Sequence, residues 1–273
     1  KVLDLPGSTN GLEDTTDSRL LLSKTAVVVF VINAQEPYLD AVTAAKKVIE
    51  FAYKVNPKIA FDIVIHKIDG DQFFSDDRKT EITRDIQSKL SEEVHDKVDS
   101  QISFHCTTIY DVSIFEAFSK IIQKLIPQLP LIEQCLDLLI TYSRMEKAYL
   151  FDVLSKAYIA TAPHPVDLQS YELCADMLDV VVDTSCIYGQ SEDGLYALNC
   201  ISRDSKSVIH MENGTLLYLR GVDRGLALIC ILREENYDRQ HLIDYNFKVF
   251  QETLGELHSV VQQRPASFMA AGS

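Results

Sequence analysis

The stretch Phe61-Asp62-Ile63-Val64-Ile65-His66-Lys67-Ile68-Asp69-Gly70 constrains the fold more than any other part of the chain. Its apolar, branched run reads as a strand buried on both faces, of the kind found in parallel sheets. It breaks off at His-Lys-Ile-Asp-Gly, where a ligand-contacting loop would sit at the carboxyl end of a sheet strand. A Lys-x-Asp pair in such a loop suits a purine that offers two adjacent N–H donors. The Lys67 stem can lie over the ring face while the Asp69 carboxylate accepts two N–H bonds from one edge. Guanine has that edge and adenine does not. Taken alone, the same pair reads more readily as a charged turn after a strand, so the neighbouring segments have to decide.

Those segments alternate strand and helix. Lys1 to Asp4 reads as the end of a strand, followed by Leu5-Pro6-Gly7. In an Asp-x-x-Gly turn the acid can hold a Mg²⁺-bound water, and the glycine N–H can meet a terminal phosphate. Ser8 to Ser18 is polar with few large apolar residues and is expected to be mobile. Ala26 to Ile32 is a second continuous apolar strand. A helix after Pro37 carries Val42, Ala45, Val48, Ile49, Ala52 and Tyr53 on one face. Another after Asp77 has the narrow stripe Ile82, Ile86 and Leu90. A third strand, Ile102 to Cys106, opens into Thr107-Thr108-Ile109-Tyr110-Asp111. A helix from Ser113 to Gln128 carries Phe115, Phe118, Ile122 and Leu125, and Pro127 and Pro130 end it. This is the βαβ grammar of a doubly wound sheet, with ligands at the strand ends. The proline-bounded exit marks a domain boundary.

The second half reads as helix, two strands, helix, three strands, helix, an α+β layer. The first helix, Leu131 to Tyr142, has apolar Leu131, Cys135, Leu138 and Leu139. Tyr149-Leu-Phe151 and Ala157-Tyr-Ile-Ala160 form a hairpin. Pro165 leads into a helix with Leu168, Tyr171, Ala175, Leu178 and Val182 at helical spacing. Strands follow at Ser207 to Met211, Leu216 to Leu219 and Leu226 to Leu232. Asn213-Gly214-Thr215 matches a glycosylation sequon, but between two alternating apolar runs it reads as a hairpin turn. The last helix, Asp238 to about Gln263, carries Leu242, Phe247, Phe250, Leu254, Leu257 and Val261. His164 and His210 have no companions at nucleophile or metal spacing and read as ordinary loop and strand histidines.

Composition excludes several functions. A length of 273 residues suggests two ordinary domains, and 47 % hydrophobic with 24 % charged residues is globular rather than disordered. A net charge of −14 argues against a nucleic-acid surface or direct docking on anionic lipid. The six cysteines (Cys106, Cys135, Cys174, Cys186, Cys200, Cys230) lack C-x-x-C spacing and read as buried free thiols of a reducing compartment. No apolar run is long enough to span a membrane.

Three loops thus stand at three strand ends in the order of a GTPase: Asp4-Leu-Pro-Gly7, His66-Lys-Ile-Asp69 and Thr107-Thr-Ile109. The resemblance goes further. The chain resembles Rag GTPases of the C/D class over nearly its whole length. The matching residues include Ala34-Gln35, Tyr53-Lys-Val-Asn-Pro57, His66-Lys-Ile-Asp-Gly70, Ile109-Tyr-Asp111, Ser113-Ile-Phe-Glu-Ala-Phe-Ser119 and Gln123-Lys-Leu-Ile-Pro-Gln-Leu-Pro130. In the second half they include Val166-Asp-Leu-Gln-Ser-Tyr-Glu-Leu-Cys174, Asp183-Thr-Ser-Cys-Ile-Tyr-Gly189, Leu232-Arg-Glu-Glu235 and Leu242-Ile-Asp-Tyr-Asn-Phe247. Histidine in place of the usual asparagine of the guanine motif is itself a feature of this class.

The resemblance implies a fold and a function. The fold is α/β: a partial doubly wound P-loop GTPase domain over 1–128, from the second switch onward, then an α+β roadblock-like (longin-like) dimerisation domain over 129–263. A disordered tail over 264–273 completes the expectation. The implied function is a guanine-nucleotide switch subunit, paired obligately with a Rag A/B-type GTPase, that signals amino-acid sufficiency to the TOR kinase complex. A Ragulator-type membrane scaffold would recruit this cytoplasmic protein to the lysosome or vacuole, and a folliculin-type partner would activate it. The implied ligands are GTP or GDP with Mg²⁺. Lys67 and Asp69 would hold guanine, His66 would shape that loop, and Thr107, Thr108 and Ile109 would form the second base loop, the Ile109 backbone meeting the base oxygen. Asp4 and Gly7 would lie on the Mg²⁺ and terminal-phosphate side.

Two departures from the family pattern stand out. The glycine-rich phosphate loop and first switch are absent from the chain, as expected of a sequence truncated at its start; phosphate and Mg²⁺ sites are then incomplete. Ser8 stands where the family has glutamine, and serine is too short to orient the attacking water in the same way. The complete protein is therefore expected to be a GTPase whose hydrolysis depends on help at Ser8. An alternative of a different class is a nucleotide-free scaffold, a relic G domain on an active dimerisation module.

Overall fold

The computed structural model describes residues 2–5, 15–69, 75–92, 101–163, 166–188, 201–223 and 225–263. The chain divides into two compact units, Lys1–Ile121 and Ile122–Ser273.

The first unit is built on a parallel sheet of three strands, β1 (Val27–Asn33), β2 (Ala60–His66) and β3 (Ile102–Thr107), in the order β1-β2-β3. Around it lie α1 (Thr16–Ser23), α2 (Leu39–Val55), α3 (Asp76–Ser91) and α4 (Ser113–Lys124). Strand β2 is central, and the expected double-sided burial holds: Phe61 through Ile65 are all at most 2 % exposed. Alternation sends Phe61, Ile63 and Ile65 to one face, where they pack with Ile32 of β1, Val42, Ala45, Ile49 and Ala52 of α2, and Ile86 and Leu90 of α3. Each Val, Leu, Ile or Phe side chain among them contributes about 1.5–3 kcal/mol on leaving water. On the other face β2 carries Asp62, fully buried, bonded to His105 Nε2 of β3 at 2.7 Å.

Local signals set the helix ends. Thr15 is the N-cap of α1, its hydroxyl accepting from Ser18 N at 3.2 Å. Ser75 does the same for α3, accepting from Arg78 N at 3.3 Å. Asn56 ends α2 and ties it to the start of β1, its Nδ2 donating to Thr25 O at 3.0 Å while its Oδ1 accepts from Lys58 N at 3.1 Å.

The second unit is a five-stranded antiparallel sheet in the order β5-β4-β8-β7-β6. Its strands are β4 (Lys147–Asp152), β5 (Tyr158–Ala162), β6 (Lys206–His210), β7 (Thr215–Asp223) and β8 (Leu226–Arg233). One face packs against α5 (Leu129–Ser143) and α7 (Gln240–Gln263) through Leu136, Leu139, Ile243, Phe247 and Phe250. The other face meets α6 (Leu168–Tyr188): the Tyr171 ring lies 5.7 Å from Phe151 and 5.4 Å from Tyr158, centroid to centroid. Gly214 turns the β6–β7 hairpin at φ 74°, as the Asn-Gly pair requires. Gly221 has a different reason: a Cβ there would stand 1.8 Å from the Ser202 carbonyl oxygen.

Several expectations fail for identifiable reasons. Val2–Leu5 is exposed and without regular structure instead of ending a strand; no described strand pairs with it. Thr15 to Ser18 begin a capped helix anchored by buried Leu22 rather than a mobile stretch; the rest of that stretch, including Ser8, lies outside the described residues. Helix α4 ends at Lys124, short of the expected Gln128; within it Ala117, Ser119 and Ile121 are buried and Phe118 is exposed, as is Leu125 just beyond it. In α5 Leu136 and Leu139 are buried and Leu131 and Leu138 are exposed. In α6 Leu168 is exposed, and Cys174 and Met177 join Tyr171, Ala175 and Leu178 in the core. In α7 Ile243 is buried where Leu242 was expected, and Asp238 belongs to a 3₁₀ turn, Glu234–Arg239, that precedes the helix. Among the described cysteines, Cys174 and Cys230 are buried free thiols, Cys106 and Cys135 half-buried, and Cys186 exposed. His164, Pro165, Cys200 and the tail 264–273 lie outside the described residues.

Candidate nucleotide-base site

Parallel register makes the site. Asn33 pairs with His66, and His66 with Thr107, so one row of residues closes the carboxyl ends of β1, β2 and β3. Open parallel sheets bind ligands at this end. His66 Nδ1 and Thr107 Oγ1 share a hydrogen bond at 2.9 Å across the row. Ala34 N donates to His66 O at 2.9 Å, and Asn33 Oδ1 accepts from Gln35 N at 3.1 Å, holding the turn after β1.

Beyond the row, the chain reverses at Lys67, which adopts φ 64°. A left-handed conformation is uncommon for a residue with a side chain and collects at binding sites, where the surroundings enforce it. Here Ile68 N donates back to Thr107 O at 3.4 Å. The reversal brings Asp69 beside the loop after β3, where Thr108 Oγ1 donates to Asp69 Oδ1 at 2.7 Å. Thr108 is itself fixed: its N–H donates to Ser113 Oγ at 3.0 Å, and its hydroxyl oxygen accepts from Tyr110 N at 3.3 Å. Ser113 N donates to Asp111 Oδ1 at 2.8 Å, closing the turn into α4.

The residues expected from sequence therefore separate into two groups. His66, Lys67, Asp69, Thr107 and Thr108 converge at the ends of β2 and β3, with Ile109 next in the same loop. Lys67 and Asp69 are exposed, Thr107 and Thr108 buried. Lys67 and Asp69 are thus open to solvent while Asp69 Oδ1 is held by the hydroxyl of a buried residue. Gly7 and Ser8 lie outside the described residues. Asp4 is exposed in the irregular segment Val2–Leu5. Among the described residues no cluster of three or more His, Cys, Asp or Glu stands ready to hold a metal ion. Asp4 by itself does not make a Mg²⁺ site.

Sequence reading missed Asn33 and Ser113 as members of the site. Asn33 carried a usable signal, since it ends its apolar run as His66 and Thr107 end theirs. Ser113 carried none, because its role depends on a turn that only the folded loop defines. His210, by contrast, has local partners, Glu234 at 2.9 Å from its Nδ1 and the Tyr237 ring at 6.2 Å, and stays an ordinary exposed strand residue.

Residues 1–178 match the Gtr1/RagA G protein conserved region. The chain is 47 % identical over 262 residues to Ras-related GTP-binding protein C of Mus musculus, covering 95 % of this chain and 65 % of that protein's length. It is 42 % identical over 261 residues to GTP-binding protein gtr2 of Schizosaccharomyces pombe, covering 94 % of this chain and 82 % of the relative. Among solved structures, Myxococcus xanthus MglB superposes on 51 % of this chain and 96 % of its own, with a TM-score of 0.39 and 15 % identity.

Proposed function

The chain belongs to the Gtr1/RagA family of G proteins, and from that premise we propose that it is the guanine-nucleotide-binding subunit of a Rag-type heterodimer. The observation that carries this is the pair of linked loops at the ends of β2 and β3. Asp69 is held by Thr108 with one oxygen engaged and its carboxylate exposed, beside Lys67 in a left-handed turn. A carboxylate fixed in this way is preorganised to accept two N–H bonds from the guanine edge, and a charged acceptor makes those bonds strong. In this reading the Lys67 stem covers a ring face, and the Ile109 backbone meets the base oxygen. His66 shapes the loop through Thr107 and through its place in the strand-end row. GTP or GDP is the ligand. Mg²⁺, when bound in the whole protein, would neutralise phosphate charge; Asp4 is this chain's candidate toward it and Gly7 toward the terminal phosphate.

The proposed partner is a Rag A/B-type GTPase, joined through the second unit (about 129–263), with a Ragulator-type scaffold at the lysosome or vacuole and a folliculin-type protein that assists hydrolysis at Ser8. The output is signalling of amino-acid sufficiency to the TOR complex. Family membership and 47 % identity to a Ras-related GTP-binding protein support this reading. The test is co-expression of the chain with an A/B-type partner, followed by light scattering and nucleotide competition. A one-to-one complex from which bound fluorescent GDP is displaced by GDP but not by ADP is the expected result. A complex that forms but binds no guanine nucleotide would instead favour a nucleotide-free scaffold.

A further inference from the structure

The loop after β3 has its polarity turned inside out. Thr107 and Thr108 are 0 % and 5 % exposed, while the next two residues, Ile109 and Tyr110, are 70 % and 78 % exposed. A loop that only connects a strand to a helix would keep its apolar side chains inward and its hydroxyls in water. Here the hydroxyls are consumed internally. Thr107 is bonded to His66, and Thr108 both donates to Asp69 and accepts from the Tyr110 backbone N–H. The Thr108 N–H is taken by Ser113. The backbone of Tyr110 is thus anchored to the same hydroxyl that holds Asp69, and its aromatic side chain is left in solvent.

We propose that Tyr110 is a positioning residue of the base site, its ring stacking on one face of the purine while the Lys67 stem covers the other. The idea rests on the guanine-nucleotide reading above and adds a contact to it. Stacking needs an exposed ring on a fixed backbone, and both conditions are met. It also accounts for the tight closure of this short loop. The contact binds any flat base; the choice of guanine stays with Asp69, and Tyr110 supplies affinity and holds the ring in plane.

The chain contains no tryptophan, so Tyr110→Trp creates a single reporter at this position. The full chain carrying Tyr110→Trp is titrated with GDP into the millimolar range, following tryptophan emission. The unsubstituted chain, Tyr110→Ala and Tyr110→Phe are titrated by calorimetry. The expected result is saturable quenching with a midpoint matching the calorimetric one, affinity about tenfold weaker in Tyr110→Ala, and affinity restored in Tyr110→Phe. Tyr110 is so exposed that none of these changes threatens the fold. GDP binding that leaves the emission unchanged, or that Tyr110→Ala does not weaken, overturns the stacking role alone and leaves Ile109 and Tyr110 as a surface for a protein. A failure of Phe to rescue Ala also overturns it, since the ring would then not be the active part. Absence of GDP binding in the unsubstituted chain overturns both this contact and the guanine reading beneath it.

Discussion

Thr108 Oγ1 donates a hydrogen bond to Asp69 Oδ1 at 2.7 Å, joining the loops that leave two adjacent parallel strands. One buried hydroxyl thereby fixes the orientation of an exposed carboxylate before any ligand arrives. Preorganisation of this kind raises affinity by removing an ordering cost at the moment of binding.

Removing that hydroxyl while keeping the side-chain shape should therefore weaken binding without unfolding the sheet. Thr108→Val is expected to reduce GDP affinity about fivefold to tenfold, the equivalent of one hydrogen bond of about 1–1.5 kcal/mol. Calorimetry checks the affinity and thermal unfolding checks the fold. An unchanged dissociation constant would mean that Asp69 is oriented by something other than Thr108.

A second expectation concerns acid. Burial pushes the Asp244 carboxyl up, but the Tyr218 hydroxyl, Lys206 and Arg220 outweigh it and hold it below the usual carboxylate range. A carboxylate whose pKa is depressed by folding stabilises the native state above its unfolded value. That stability is lost as the pH falls through the folded value. The second unit should thus lose stability below about pH 4. Asp244→Asn should cost about 1–2 kcal/mol at pH 7, a partly exposed version of a charged hydrogen bond, and should flatten the acid limb. Thermal melts of both proteins between pH 3 and 7 measure this; parallel acid limbs would remove Asp244 from the account.

Gly221 gives a third expectation. A methyl group there meets the Ser202 carbonyl oxygen, a backbone atom that cannot step aside cheaply. Gly221→Ala should destabilise the second unit by about 1–3 kcal/mol, as overpacking does. Gly214→Ala acts differently, through the left-handed turn at φ 74°, with open space around the new methyl. Chemical denaturation of both variants separates the two causes, and an unchanged midpoint for Gly221→Ala would contradict the close approach.

The elements that sequence made legible are those whose signal is local. Strand β2 was readable because five consecutive buried positions leave an unbroken run, and its loop because Lys67 and Asp69 lie two residues apart. The hairpin at Asn213-Gly214 was readable because few residues adopt the turn it needs. Helix faces were not. Leu242 and Ile243 are both apolar and adjacent, and only packing against Tyr218 and its neighbours decides that Ile243 goes inward. Likewise α4 offers Phe115, Phe118 and Ile122 at helical spacing, yet Ala117, Ser119 and Ile121 take the buried side. Asp62 hid inside an apolar run because its partner, His105, is forty-three residues away. The role of Thr108 was invisible for the same reason: Asp69 meets it only when β2 and β3 pair in register.

The choice between guanine and xanthine is the decisive measurement on Asp69. Asp69→Asn turns one half of the paired acceptor into a donor, which opposes guanine and suits the carbonyl that xanthine presents at that edge. The chain and its Asp69→Asn variant are each titrated with GDP and with xanthosine diphosphate. The unsubstituted chain is expected to prefer GDP, and the variant to lose about 2–3 kcal/mol toward GDP, with the preference reversed. Equal affinity for the two nucleotides in the unsubstituted chain, or a guanine preference that survives Asp69→Asn, would contradict the guanine reading.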